Sequence, residues 1–147
     1  MSLQSQTQNM KSLAELLSRD LGNIHGARES GPNGDKRTFH TKGRAFLSAL
    51  AKDLGLAEKR VTSNYAGIAV SGEVYLRGMW SDGDGLYIEL AQPTIGCNVL
   101  HYGAITAMNG LVRGQYRTIS LTKLRAADYA GLLLELQGEI HTATNAA

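Results

Sequence analysis

The spacing of apolar residues changes twice along the chain. Up to residue 55 they recur every three or four positions, as on one side of a helix, and from about Val61 many of them alternate with polar residues, as in half-buried strands. Helical spacing returns at Tyr129. The order of two helices, about five strands and one helix predicts an α+β fold. We expect an antiparallel meander with the two N-terminal helices and the C-terminal helix on one face.

Local signals and apolar stripes set the limits of the predicted helices. Ser12 and Glu15 form a capping-box pattern that would start the first helix. Thr38 or Thr41 would cap the second helix, and Gly55 would close it. The expected buried stripes are Leu13, Leu16, Leu17 and Leu21 in the first helix, Phe46, Leu47, Leu50, Ala51 and Leu54 in the second, and Tyr129, Leu132, Leu133, Leu136 and Ile140 in the last.

Three strands are predicted between about residues 63 and 91, joined by two tight turns. Ser71-Gly72 is the first turn, and residues 81–85, "SDGDG", are the second. Residues 97–108 fit either a strand or a helical turn, and residues 115–121 fit a further strand. The meander is therefore best defined in its first three strands.

Size and composition predict one domain with its own core. The chain has 147 residues, of which 43% are hydrophobic. We expect a flexible leader at residues 1–10, a domain at residues 11–141 and a frayed tail at residues 142–147. A single cysteine excludes an internal disulfide, no signal-peptide pattern is visible, and "AGLLLEL" is too short to cross a bilayer. A cytoplasmic protein without a membrane contact is expected.

Basic residues are concentrated in two segments, although the formal net charge is only +2. Residues 35–60 and 111–125 each carry a net charge of +4, whereas residues 61–110 and 126–147 each carry −3. If the fold brings the two basic segments together, they form a patch for phosphates or for an acidic protein surface. If it does not, they are solvated faces.

Asp82 and Asp84 alternate with glycines in "WSDGDGLY", which suggests either a calcium loop or a turn. An EF-hand loop that starts at Asp82 has Asp84 at its third position, but Leu86 at the fifth and Pro93 at the twelfth cannot supply the required ligands. Hairpin turns also favour aspartate and glycine. The pattern therefore favours a turn, whose side chains are available for contact with a partner.

Other catalytic and cofactor patterns are incomplete. Cys97 and His101 would meet only if the segment between them were helical, and the four histidines show no zinc-ligand spacing. The glycine-rich loop at residues 26–38 lacks the Gly-Lys-Ser/Thr ending of a P-loop and has no strand before it. The sequence therefore favours a protein that is not an enzyme, and no metal or other cofactor is expected.

Tyrosine and arginine recur on one side of the predicted strands. Tyr75 and Arg77 share the non-core side of one strand, and Tyr87 falls on the non-core side of the next. Such residues anchor protein partners, or they stack on and neutralise single-stranded nucleic acid. If a helix covers this side, the tyrosines are instead part of a core.

The run "SNYAGIAVSGEVYLRG" at residues 63–78, preceded by the helical "FLSALAKDLGL", resembles small uncharacterised proteins of bacteriophages and mobile elements. The resemblance covers about residues 44–78 and includes no catalytic motif. It implies an accessory protein that acts on another macromolecule.

Three hypotheses about function follow. The first is a binding protein, an accessory factor or inhibitor that contacts a protein partner, or a second copy of itself as a homodimer, through Tyr75, Arg77, Tyr87, Asp82 and Asp84. The second is a nucleic-acid-binding module that contacts phosphates or other anions through Lys36, Arg37, Lys42, Arg44, Arg113 and Arg117. The third is a small enzyme whose site is assembled from residues distant in sequence.

Overall fold

The structure is a computed structural model that describes residues 3–18, 21, 35–65, 71–92, 99–121 and 128–146. It contains three helices and five strands, which confirms the α+β class. The helices are α1 (Leu3–Leu17), α2 (Asp35–Asp53) and α3 (Tyr129–Ala146), and the strands are β1 (Glu58–Asn64), β2 (Glu73–Met79), β3 (Gly85–Ala91), β4 (Val99–Ile105) and β5 (Arg113–Ser120). The strands lie in the sheet in chain order, and each pairs antiparallel with the next. The predicted meander is therefore confirmed.

The alternation of residues in β2 and β3 gives the sheet two different faces. Val74 pairs with Leu90 and Leu76 pairs with Ile88, and all four side chains are buried. We call the face that carries them the core face. The residues between them, including Tyr75 and Arg77, point to the opposite side, which we call the outer face.

Helix α2 packs on the core face at a close approach. A Cβ atom at Gly43 would lie 3.2 Å from Cγ2 of Val74, so the helix backbone and the strand nearly touch. Each of the three predicted helical stripes supplies buried residues to one continuous core that includes the core face. That all three helices occupy this one face stays a prediction.

Residues 3–10 of the expected leader at residues 1–10 are helical. Helix α1 begins at Leu3, and Ser12 therefore lies inside it instead of capping it. The segment is polar but tied down by long-range bonds: the buried Gln6 donates from Nε2 to the carbonyl of Phe46 at 3.3 Å, and Thr7 Oγ1 accepts from the backbone N–H of Tyr129 at 3.1 Å. At the other end, α3 continues to Ala146, so residues 142–146 of the expected tail are helical.

Helix α2 also starts earlier than predicted. It begins at Asp35, so Thr38 and Thr41 lie within it and do not cap it. An aspartate in the first turn is stabilised by the positive end of the helix dipole, which explains a start without a threonine cap. The C-terminal end is where the sequence places it, because Gly55 follows the helix with a φ of 73°.

Strand β1 lies before the position that alternation suggested. It covers Glu58–Asn64, and the connection to β2 spans residues 65–72, so Ser71-Gly72 is not a two-residue hairpin turn. As an edge strand with mostly exposed side chains, β1 lacks the alternation by which strands are recognised. Residues 99–105 form a strand, which settles the alternative left open there.

Several sequence predictions fall on residues outside the described ranges. These are most of the glycine-rich loop, Pro93 and Cys97. No helix in the described part of the chain is both long and apolar enough to cross a membrane.

Candidate functional site

Residues 80–84 form the turn between β2 and β3, and Gly85 of the predicted turn at residues 81–85 is the first residue of β3. The backbone N–H of Asp84 donates to Oδ1 of Asp82 at 3.0 Å, and the N–H of Trp80 donates to the carbonyl of Asp84 at 2.8 Å. Gly83 supplies the required positive φ of 94°. Asp82 thus caps its own turn. Among the described residues, no three His, Cys, Asp or Glu side chains lie close enough together to hold a metal ion.

The outer face brings the predicted tyrosine and arginine side chains together. Arg77 pairs with Tyr87 across β2 and β3, and its guanidinium lies 4.9 Å from the centre of the Tyr87 ring. The rings of Tyr75 and Tyr87 are 5.9 Å apart. These distances are in the range of cation–π and aromatic contacts, so the three side chains form one packed unit.

A third tyrosine, which the sequence did not assign to this site, joins them from β5. Tyr116 contacts the Tyr87 ring edge-on at 5.8 Å, although β4 lies between their strands. The residue of β4 opposite Tyr87 is Gly103, and Val112 packs where a Cβ atom of this glycine would lie. In addition, β5 has a bulge: three residues of β5 lie opposite Gly103 alone, and Gly114 within it has a φ of 70°. We call Tyr75, Tyr87 and Tyr116 the tyrosine cluster.

The connection between β4 and β5, residues 106–112, folds across the outer face. Arg77 Nη1 donates to the carbonyl of Gly110 at 2.7 Å and to that of Met108 at 3.3 Å. Arg60 on β1 donates from Nη2 to Oδ1 of Asn109 at 3.0 Å. Arg77 therefore holds the protein's own backbone as well as the Tyr87 ring. Leu111 is left 88% exposed within this connection.

The tyrosine cluster has a buried centre and an exposed edge. Tyr87 is only 8% exposed, and its hydroxyl donates to Oε1 of Glu89 at 3.0 Å. Burial, followed by the nearby Glu89 carboxylate, raises the pKa of the Tyr87 phenol above its usual range, so it stays neutral. Tyr116 is 56% exposed. A partner would therefore meet Tyr116 first, supported from beneath by Tyr87.

The six basic residues of the second hypothesis do not form a single patch. Arg37, Lys42 and Arg44 are exposed on α2, which contacts β1 and β2. Arg113 and Arg117 are exposed on β5, three strands beyond β2, a distance of about 14 Å at the usual strand spacing.

Lys36, the sixth of them, is only 4% exposed and lies 5.3 Å from the centre of the Tyr65 ring. It belongs to the first turn of α2 and not to a loop. A side chain this deeply buried is a poor phosphate contact, so it adds little to the second hypothesis.

A histidine cluster on the other side of the sheet was also missed by the sequence. His40 of α2 is fully buried, with Nδ1 at 2.6 Å from Ser63 Oγ and Nε2 at 2.7 Å from the carbonyl oxygen of Ser71. The ring of Tyr65 stacks on the imidazole at 4.1 Å. These residues are far apart in sequence, and no local motif links them.

The comparisons with known proteins leave the function to be argued from this geometry. No protein-family model, no curated protein and no solved structure matches the chain.

Proposed function

We propose that this chain is a binding protein that contacts another protein through the outer face of its sheet. The contact surface consists of the tyrosine cluster, the exposed Leu111 and the turn that carries Asp82 and Asp84. The β2–β3 turn and the 106–112 connection lie at the same end of the meander, so these groups are neighbours. The aspartates form an acidic rim beside an aromatic centre.

The observation that carries this proposal is the packed array of tyrosine rings and the Arg77 guanidinium on the outer face. Tyrosine and arginine are among the residue types enriched in the energetically dominant part of protein interfaces. Arg77 is already held by two carbonyl groups and Tyr87 by Glu89, so little side-chain freedom is lost when a partner binds. An 88% exposed leucine beside the rings adds apolar area that binding would remove from water.

The biological setting of this proposal comes from the sequence resemblance. An accessory factor or inhibitor of a bacteriophage or mobile element, working in the cytoplasm, would act by such a contact and would need no cofactor. The partner is a host or element protein, and a second copy of the chain would use the same surface in a homodimer.

Site-specific cross-linking tests the surface directly. A photoreactive benzoylphenylalanine at position 116 should cross-link to a partner in an extract of the source cells. The same group at position 134 is the matched control, because Leu134 is also exposed, at 73%, but lies on α3. Excess unmodified protein should suppress the cross-link at position 116, and an excess of a Tyr75→Ser, Tyr116→Ser variant should not. Equal cross-linking at both positions would contradict the proposal.

Nucleic-acid binding is the alternative, supported by the exposed Arg113 and Arg117 on the strand that carries Tyr116. Fluorescence anisotropy with mixed single-stranded oligonucleotides separates the two functions. Binding that weakens steeply with salt, and that is lost in an Arg113→Gln, Arg117→Gln variant, would replace the protein-binding proposal. Absence of binding at low salt would leave the protein partner as the explanation of the surface.

A further inference from the structure

The hydrogen bonds of His40 determine which of its nitrogens carries the proton. The carbonyl oxygen of Ser71 can only accept, so Nε2 must be the N–H that donates to it over 2.7 Å. In the neutral ring Nδ1 then carries the lone pair, and it accepts a hydrogen bond from the Ser63 hydroxyl, with an Nδ1–Oγ distance of 2.6 Å. A base is thus aligned on a serine hydroxyl, and a carbonyl orients the base from behind. This is the geometric relation found between a nucleophile, its base and the group that orients the base.

The surroundings keep this base unprotonated at neutral pH. Burial is the main cause that lowers the pKa of His40 below its usual value of 6.5, and the positive charges of Lys36 and Arg44 lower it further. The Ser71 carbonyl and the Glu73 carboxylate act in the opposite direction. These two groups would also stabilise the imidazolium that forms when the ring takes up a proton.

The serine of this pair lies at the edge of the sheet, whereas the histidine is enclosed. Ser63 lies on the edge strand β1, opposite Val74, and therefore faces α2 from the core face. Its side chain is half-buried, whereas His40 is enclosed by Tyr65 stacked on one side and by the nearly perpendicular Phe39 ring, whose centre lies 5.2 Å from that of the imidazole. The nucleophile thus belongs to a half-buried residue at the edge of the sheet, and its base is fully buried.

We propose that Ser63 and His40 form a nucleophile and general-base pair that reacts with small activated esters. In the first step Nδ1 of His40 takes the Ser63 proton while Oγ bonds to the acyl carbon. The tetrahedral intermediate then expels the alcohol, which leaves with the proton from Nδ1, and Ser63 remains acylated. Water attacks this ester with His40 again as base, releases the carboxylic acid and restores the serine. This activity is separate from the outer face and independent of the partner proposed above.

A fluorophosphonate probe tests the pair on the intact chain. Reaction forms the Oγ–phosphorus bond of Ser63 and releases fluoride, while the hydroxyl proton passes to Nδ1. Peptide mapping of the unmodified protein should find the label on Ser63, at a rate about 100-fold above that of Ser48, in line with the usual contribution of a positioned base. Ser48 is the internal reference because it is an exposed serine on the same helix as His40.

Two further readouts separate a reactive pair from a structural hydrogen bond. As the pH is raised, His40 loses its proton and the labelling rate should increase until it reaches a plateau, and this plateau should already be reached before pH 6.5. The rate of an ordinary hydroxyl instead keeps increasing throughout the alkaline range. A Ser63→Ala variant with an unchanged melting temperature should lose the label and the hydrolysis of p-nitrophenyl acetate. Label on no serine, equal label on Ser48 and Ser63, or unchanged hydrolysis by Ser63→Ala would each overturn the proposal. The peptide mapping uses the unmodified protein, so this part of the test does not depend on whether a variant folds.

Discussion

Replacing Gly72 by alanine should destabilise the protein more than the same change at two other glycines with nearly the same backbone conformation. Gly72, Gly114 and Gly55 have φ values of 68°, 70° and 73°. A Cβ at Gly72 would overlap the backbone carbonyl oxygen of Asn64 and would lie 2.8 Å from that of Tyr65. A Cβ at Gly114 or Gly55 would meet no atom within 4 Å. The three substitutions therefore share the conformational cost and differ in the steric one.

The magnitudes follow from these two contributions. The left-handed conformation costs an alanine about 1–2 kcal/mol at each of the three positions. At Gly72 the overlapping atoms belong to the backbone of Asn64, the last residue of β1, and of the adjoining Tyr65, so relief requires a backbone shift that costs about 1–3 kcal/mol more. We expect a loss of about 2–5 kcal/mol for Gly72→Ala and of about 1–2 kcal/mol for each control. The effect of alanine on the unfolded chain is common to all three variants and cancels in the comparison.

Urea denaturation followed by circular dichroism measures these free energies of unfolding, and an unchanged slope shows that the comparison is valid. Equal losses in all three variants, within about 0.5 kcal/mol, would refute the steric argument. The change at Gly72 also displaces the neighbouring Ser71 carbonyl, to which His40 donates. Slower labelling of Ser63 in Gly72→Ala, but not in Gly114→Ala, is therefore expected as well.

Three further outcomes are expected. Arg77→Met should lower the free energy of unfolding by about 1–3 kcal/mol and make residues 106–112 susceptible to proteolysis, because two charge-assisted hydrogen bonds to that connection are lost. The control Arg113→Met, at an exposed position, should change the free energy of unfolding by less than about 0.5 kcal/mol. Equal effects of the two substitutions would contradict the role of Arg77 in holding the connection. Because folding lowers the pKa of His40, the unfolded chain binds a proton more readily than the folded chain. The free energy of unfolding should therefore rise with pH between the folded-state pKa and the usual value of 6.5, and this contribution to stability should be absent at lower pH. A His40→Asn variant with the same pH profile as the unmodified protein would contradict the assignment to His40. The double variant Asp82→Asn, Asp84→Asn should have a melting temperature within about 2 °C of the unmodified protein, because the aspartates stabilise a turn. A chelator should not change the melting temperature of the unmodified protein. A lower melting temperature on adding chelator would show that the aspartates hold a metal.

The elements that the sequence predicts well are those whose apolar residues recur at a regular spacing on the side that faces the core. In α2 and in strands β2 and β3, one side of each element faces the core, so the helical and alternating spacing of apolar residues reports it directly. The start of α1 was missed because Gln6 is buried by virtue of its bond to the Phe46 carbonyl, a partner forty residues away. When the hydrogen-bond partner of a buried polar residue is distant in sequence, the residues around it give no indication that it is buried.

The same reasoning explains how much of the candidate site was predicted. Tyr75, Arg77 and Tyr87 were placed on one side of the sheet because alternation in adjacent strands is a local property. Tyr116 was not, since its position depends on the bulge in β5. The contact between His40 and Ser63 depends on the packing of α2 against β1, which spacing within either element does not encode.

The bulge in β5 also limits how copies of this chain can assemble. In the described part of the sheet, β1 is an edge strand and pairs in unbroken register with β2. The side of β1 that faces away from β2 therefore has the geometry of a regular strand. The opposite edge of the sheet is interrupted at residues 114–116. Growth of a fibre by strand addition requires two edges that can both accept a strand, and a bulged edge does not pair well. Two copies joined at β1 about a twofold axis would leave only bulged edges outside, so strand pairing would end at the dimer.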